Sequence, residues 1–360
     1  MRRSYVTSRS TAHSGPVSFA VRCILRRFAH GRLTTRPSMN FRRARPSIFV
    51  ALLVGSSVAS VEAQVESEEP EPAQPEIVDG EDYRVFDRNG NPSSLQAIVH
   101  ASLSDDVLLV GEEHDDMIGH AFQTMLVDLA LKEIGSPQGA GRPVVLSLEM
   151  FERDVQYVVD EYLQGLISES HFLKSSRPWD DYETRYRPAV EAAREHDAPI
   201  IASNAPRRYV NRVSGSGPES LLDLSETSRS FLPPLPYPGP SDEYRAQWDA
   251  LMAEAMAGSV ESMSSNIIYS QALWDAAMGH AITEALVRHI GGFVVHFAGS
   301  FHVERGTGIM ERIADYRPGT RVTSVVMTKV DDIDAWSVED HGPLADYVVL
   351  TKRPEEAYPS

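Results

Sequence analysis

Four apolar segments of this chain, each typical of a buried strand, end in a short polar motif, and helix-like segments separate them. The segments are residues 107–110, 143–148, 198–202 and 292–297. The motifs that follow are Gly-Glu-Glu-His (111–114), Glu-Met-Phe (149–151), Ser-Asn-Ala (203–205) and Ala-Gly-Ser-Phe-His (298–302). Strands that alternate with helices pair mostly in parallel. The pattern therefore predicts an α/β fold with a largely parallel sheet and helices on both faces.

The remaining segments complete a single predicted domain over residues 81–355. Further strands are predicted at 321–327 and 346–350, and an insertion, partly helical and rich in proline, at about 214–260. The predicted helices are about 116–134, 152–167, 188–196, 243–257, 263–289 and 303–315. Residues 64–80 form an acidic Pro/Glu linker that lacks the apolar residues for a core.

The polar motifs predict one site, because ligands of open α/β sheets bind beyond the carboxyl ends of the strands. Alternation along a strand brings Glu112 and His114 to the same side. With Glu149 and His302 they form a set that suits general acid–base catalysis, or that binds a divalent metal. Asn204 either joins this site or caps the helix after it. The sequence alone leaves open a simpler role for the first motif, as the charged start of a helix.

Three other polar residues are candidates for the same pocket, each with a structural alternative. His120 lies in the helix after the first motif and is either directed back to the site or placed on the surface. Gln271 and Asp275 are one helical turn apart among apolar residues, and they face either the site or a neighbouring helix. His296, within a strand, is more typical of a core histidine.

The N-terminus has the features of an exported protein. Residues 39–45 are basic, residues 47–61 are apolar and too short to span a membrane, and Val61-Glu62-Ala63 fits a cleavage site. We therefore predict an N-terminal extension at 1–63 that contains a signal peptide at 39–63, with a twin-arginine signal or a transit peptide as alternatives. The only cysteine, Cys23, precedes the apolar run, so no lipobox is present. The predicted location is the periplasm or the outside of the cell.

The charge of the chain restricts its partners. Its formal net charge is −17, and residues 1–63 contribute +10, which leaves −27 on the remainder. A surface this acidic argues against binding to nucleic acid or to anionic lipid. No segment predicts a stable membrane span.

The motifs together resemble the ChaN-like haem-binding family of the larger erythromycin-esterase/ChaN superfamily, over about residues 95–330. The matching residues are Gly111, Glu112, His114, Asp115 and His120, then Leu148 to Phe151 with Gln156, then Trp179 and Tyr186, then Asn204 to Arg207, then Gln271, Asp275 and Met278, and finally Gly299 and His302.

This resemblance implies an exported haem-binding protein of haem or iron uptake, more a binding protein than an enzyme. It also implies a homodimer, which haem induces or stabilises, and a tyrosine as iron ligand. Tyrosine is a recognised axial ligand of haem iron. The candidate ligands are Tyr237 and Tyr244, in or beside the insertion, with Tyr182, Tyr186 and Tyr209 as further candidates. The candidate partners of a haem propionate are Arg207 and Arg208. The alternative is an esterase-like hydrolase that uses Glu112, His114, Glu149 and His302, with or without a divalent metal ion.

Overall fold

A computed structural model describes the backbone of residues 74–256 and 265–354, and the side chains of these residues except 254–256. The predicted signal peptide and the first part of the linker lie outside the described residues. The strands are β1 (Tyr83–Asp87), β2 (Pro92–Ser93), β3 (Val107–Glu112), β4 (Val144–Glu152), β5 (Ile200–Asn204), β6 (Phe293–Gly299), β7 (Val322–Val330) and β8 (Tyr347–Lys352).

These strands form one sheet in the order β2-β1-β8-β7-β3-β6-β4-β5. The six strands from β8 to β5 run parallel, and β1 pairs antiparallel with both β2 and β8. The predicted fold class, an α/β fold with a largely parallel sheet, is therefore confirmed. The carboxyl ends of β3, β6, β4 and β5 are neighbours along one edge, and all four predicted motifs lie there.

The helices are α1 (Leu95–Ala101), α2 (Met117–Ala130), α3 (Gln156–Leu163), α4 (Glu169–Ser176), α5 (Tyr182–Arg185), α6 (Arg187–Glu195), α7 (Arg207–Ser216), α8 (Glu226–Arg229), α9 (Asp242–Met256), α10 (Ile267–Arg288) and α11 (Ile309–Tyr316). Helices α1 to α6 cover one face of the sheet, and α7, α10 and α11 cover the other. Helix α9 packs against the start of α10 and against Phe301. None of the described helices is both long and apolar enough to cross a membrane.

Strand β3 shows why the sequence folds in this way. Its residues are buried along their whole length, as expected for a central parallel strand with helices on both faces. Alternation directs Leu108 and Val110 to the layer of α1 to α6, and Val107 and Leu109 to the opposite layer. The same alternation directs Glu112 toward α2 and α6. The burial of the apolar residues of β3 thus sets the direction of the Glu112 side chain at the end of the strand.

The strands extend further than the apolar runs predict. Strand β3 continues through Gly111 and Glu112, which pair with Ala298 and Gly299 of β6. Strand β4 continues to Glu152, with an irregular register against β5 after Leu148. The predicted insertion contains a 3-10 turn at Pro218–Asp223, the short helix α8, a proline-rich stretch and α9.

Candidate functional site

Glu112 is the centre of a buried hydrogen-bond network at the end of β3. Its carboxylate accepts hydrogen bonds from the Tyr186 hydroxyl at 2.5 Å, from the Gln123 side-chain amide at 2.5 Å and from His114 Nδ1 at 2.8 Å. His120 Nδ1 lies 2.9 Å from Gln123 Oε1. The residues of this network come from β3, α2 and the segment between α5 and α6. His120, one of the predicted pocket residues, is therefore a buried part of the support for Glu112.

The surroundings of Glu112 keep its carboxylate ionised. Burial alone would raise the pKa of this carboxyl, but the nearby imidazoles of His120 and His114 and the hydrogen bond from Tyr186 hold the pKa well below its usual range. A charged carboxylate that accepts from His114 Nδ1 fixes the orientation of that ring. Glu112 is therefore suited to position His114.

His114 lies between the carboxyl ends of β3 and β6. Its ring packs edge-on against Trp179, with the ring centroids 4.8 Å apart. A Cβ atom added to Gly299 would lie 3.1 Å from His114 Nε2 and 3.7 Å from Glu149 Oε2. The Gly299 amide donates to Glu149 Oε2 at 2.8 Å. Because Gly299 has no side chain, it leaves room for His114 and Glu149 to lie close together.

A second histidine–carboxylate pair lies on the opposite layer. His302 Nδ1 is 2.7 Å from Asp275 Oδ1 of α10, and both side chains are buried. Gly308 approaches this carboxylate closely, because a Cβ atom added there would lie 3.0 Å from Asp275 Oδ1. Asp275 thus faces the strand ends rather than a neighbouring helix, the alternative left open by the sequence.

His296 lies inside the sheet, where β6 pairs with β4. Its Nδ1 lies 2.9 Å from Ser147 Oγ inside the sheet. Burial lowers the pKa of His296 to about 4; Glu149 acts in the opposite direction, and His302 lowers it further. His296 is a core histidine, as its position within a strand predicted, and the imidazole is neutral near pH 7.

The four predicted catalytic residues follow the strand ends but do not surround one metal. Glu112 is directed to Tyr186 and Gln123, whereas His302 is directed to Asp275. Within the described residues, no group of three or more His, Cys, Asp or Glu side chains is arranged to hold a metal ion. The expectation that Glu112, His114, Glu149 and His302 bind a divalent metal is therefore not supported. The physical reason is that hydrogen bonds on opposite layers draw Glu112 and His302 apart.

A cleft of about 530 Å³ opens next to His114. It lies beyond the ends of β4 and β5, where the fold predicts a ligand site. The residues that line it include the indoles Trp179 and Trp274, the basic residues Arg177, Arg185 and Arg207, the acidic residues Asp115, Glu152, Asp180 and Asp181, and the amide Asn204.

Two amide side chains near the strand ends have buried atoms without a hydrogen-bond partner among the described residues. Asn204 is 6% exposed and lines the cleft, and its Oδ1 accepts no hydrogen bond. Gln271 is fully buried on α10, and neither its Oε1 nor its Nε2 has a partner. Buried polar groups normally have partners, so each of these amides needs an explanation.

The predicted tyrosines are all buried. Tyr186 donates to Glu112, Tyr237 donates to the carbonyl of Tyr269 at 2.9 Å, and Tyr244 packs against Phe301 and is 1% exposed. Burial raises the pKa of Tyr237 and of Tyr244 above the usual value, with Asp275 adding to the effect at Tyr244. The assignment of an iron ligand among these tyrosines remains a prediction.

Several partners of the predicted residues were not assigned a role from the sequence. Gln123 lies eleven residues after Glu112, on the face of α2 that is directed to the sheet. Arg185 Nη1 donates to the carbonyl of His114 at 2.5 Å and also pairs with Asp181. The one available signal was spacing, since His120 and Gln123 lie three residues apart on α2 and share a helical face.

Comparisons with known proteins agree with this architecture. The chain is similar in structure to ChaN of Campylobacter jejuni, described for cofacial haem binding, with 17% identity and a TM-score of 0.58. That match covers 79% of this chain and 100% of the other. Weaker similarities are to the type III effector HopBA1 (13% identity, TM-score 0.40, 72% and 93% covered) and to the erythromycin esterase EreC (8%, 0.37, 69% and 77%). No curated protein matches the sequence significantly.

The sequence model of one family, described as "Haem-binding uptake, Tiki superfamily, ChaN", matches residues 98–313. This range contains every one of the motifs that follow β3, β4, β5 and β6. Because the match covers more than half of the chain, the protein belongs to the ChaN family of haem-binding uptake proteins.

Proposed function

We propose that this protein is an exported haem-binding protein that acts in the uptake or handling of haem or iron. The observation that supports the proposal is the family match over residues 98–313. The apolar run and cleavage motif at 39–63 support export to the periplasm or out of the cell. The proposal includes a homodimer as the haem-bound form.

The described residues contain groups that fit haem. Haem needs a large apolar surface, an axial ligand and cations for its propionates. Tyr244 belongs to an apolar cluster with Trp248 and Phe301, beside which Tyr237 contacts the start of α10. Arg207 lines the cleft at the start of α7 and would pair with a propionate.

Between the tyrosines, we favour Tyr237 and Tyr244 over Tyr186. The Tyr186 hydroxyl donates a hydrogen bond to the charged Glu112. If Tyr186 bound iron instead, the buried carboxylate of Glu112 would lose this hydrogen bond. The Tyr237 hydroxyl is held by a single neutral carbonyl, and Tyr244 lies at the start of α9. A ferric iron would supply the positive charge that a buried phenolate needs.

A haemin titration of the haem-free protein tests this proposal by absorbance. We expect saturable binding with a tyrosinate-type spectrum. Replacing the true ligand among Tyr237 and Tyr244 with Phe should change that spectrum and weaken binding. The matched control is Tyr157→Phe, because Tyr157 is 65% exposed on α3 and belongs to none of these clusters. Sedimentation with and without haemin tests the dimer.

The two histidine–carboxylate pairs favour a second candidate function, an esterase-like hydrolase. Glu112 orients His114 beside the cleft, and Asp275 orients His302, an arrangement suited to general base catalysis. We would measure hydrolysis of small activated esters by the protein and by His114→Ala and His302→Ala. Hydrolysis that both variants lose would support this function, and no hydrolysis above the buffer rate would remove it.

A further inference from the structure

The cleft beside His114 has the construction of a small-molecule site. Its volume of about 530 Å³ is typical of ligand pockets. Its walls include the indoles of Trp179 and Trp274, and Trp274 is 4% exposed. Flat aromatic walls bind rings and other flat apolar groups.

Two residues of the cleft each have one buried polar atom without a hydrogen bond within the described residues. Arg185 uses Nη1 for the His114 carbonyl and for Asp181, while its Nε is buried without a partner. The Asn204 side chain is nine-tenths buried, and its Oδ1 has no partner. Arg185 Nε therefore needs a hydrogen-bond acceptor, and Asn204 Oδ1 needs a donor.

Folding alone does not explain an amide at position 204. Strand β5 is otherwise apolar or small. A buried amide oxygen without a partner among the described residues is less favourable there than an apolar side chain of the same size. The unpartnered atom is Oδ1, which is an acceptor, so it needs a hydrogen-bond donor. A ligand with an acidic group and an adjacent hydroxyl or N–H would satisfy both Arg185 and Asn204.

We propose that this cleft binds a small aromatic acid with a hydroxyl or N–H next to its carboxylate, such as a 2-hydroxy acid or an N-acyl amino acid. The carboxylate pairs with Arg185, the neighbouring donor bonds to Asn204, and the ring lies against Trp179 and Trp274. The proposal does not depend on haem binding.

The test is calorimetric titration of the haem-free full chain with three related compounds. Phenyllactate has the ring, the carboxylate and the hydroxyl; 3-phenylpropionate lacks the hydroxyl; and 3-phenylpropane-1,2-diol lacks the carboxylate. We expect phenyllactate to bind saturably, about tenfold more tightly than 3-phenylpropionate, because one hydrogen bond in a desolvated site is lost. The diol should bind more weakly than either acid.

A pair of variants assigns the preference to Asn204. Asn204→Leu should bind the two acids equally, whereas Asn211→Leu, at an exposed position of α7, should keep the tenfold preference. Equal binding of both acids by the unaltered protein would overturn the proposal, as would no binding of phenyllactate. An unchanged preference in Asn204→Leu would also overturn it. The comparison of ligands on the unaltered protein stands even if Asn204→Leu does not fold.

Discussion

Replacing His296 with glutamine should remove a pH-dependent loss of stability. His296 is fully buried beside Ser147, and burial lowers its pKa from 6.5 to about 4. The unfolded chain therefore takes up a proton on this side chain as the pH falls below 6.5, while the folded protein does not until about pH 4. The free energy of unfolding should fall across this window.

The size of the effect follows from the shift. A shift from 6.5 to about 4, at about 1.4 kcal/mol for each unit of pKa, amounts to about 3 kcal/mol. Urea denaturation at several pH values from 7 to 4.5 would measure most of it. His296→Gln should lose less free energy over this window than the unaltered protein, even if it is less stable at pH 7.

A matched control separates His296 from the other acid-sensitive groups. His171 is exposed on α4, and His171→Gln should keep the full loss of stability between pH 7 and 4.5. If His296→Gln and the unaltered protein lose the same free energy, the imidazole is not held neutral by burial.

Three further predictions concern the buried polar groups. Tyr186→Phe removes one hydrogen bond to the charged Glu112 and should lower the free energy of unfolding by about 1.5–3 kcal/mol. Tyr157→Phe, at an exposed position, should change it by less than about 0.5 kcal/mol. Equal effects of the two variants would contradict the hydrogen-bond network around Glu112. Because the pKa of Glu112 is depressed, its carboxylate stabilises the fold above pH 4.5 and loses this effect as the pH falls. In urea denaturation, Glu112→Gln should therefore lower the free energy of unfolding less at pH 3 than at pH 7. An equal loss at both pH values would contradict an ionised Glu112 in the folded protein. Gln271→Leu removes an amide that has no partner among the described residues, and it should leave stability unchanged or raise it by up to about 3 kcal/mol. A large loss of stability would reveal a partner such as bound water.

The sheet was predictable because its central strands are continuous apolar runs. Residues 107–110 and 292–297 contain hardly any polar side chain, which is typical of parallel strands buried on both faces. Their ends were not predictable, because Gly111 and Glu112 continue the pairing with β6 despite their polarity. Backbone hydrogen bonds between strands form at polar residues as well as at apolar ones, so a prediction from hydropathy places the end of the strand too early.

The placement of the candidate residues at the strand ends was predictable, and the contacts that they make were not. Glu112, His114, Glu149 and His302 lie at the strand ends because parallel strands end at one edge. Which of them contact one another depends on side chains from distant helices, such as Asp275 of α10. Those contacts arise only when helices pack on the sheet.

Haem binding is tested most directly by a haemin titration of the purified protein, with Tyr237→Phe and Tyr244→Phe in parallel. We expect a saturable Soret shift with a tyrosinate-type spectrum, which is lost or altered in one of the two variants and kept in Tyr157→Phe. Absence of any saturable shift would contradict haem binding. Saturable binding with the same spectrum in both variants would contradict the choice of tyrosine while leaving haem binding itself intact.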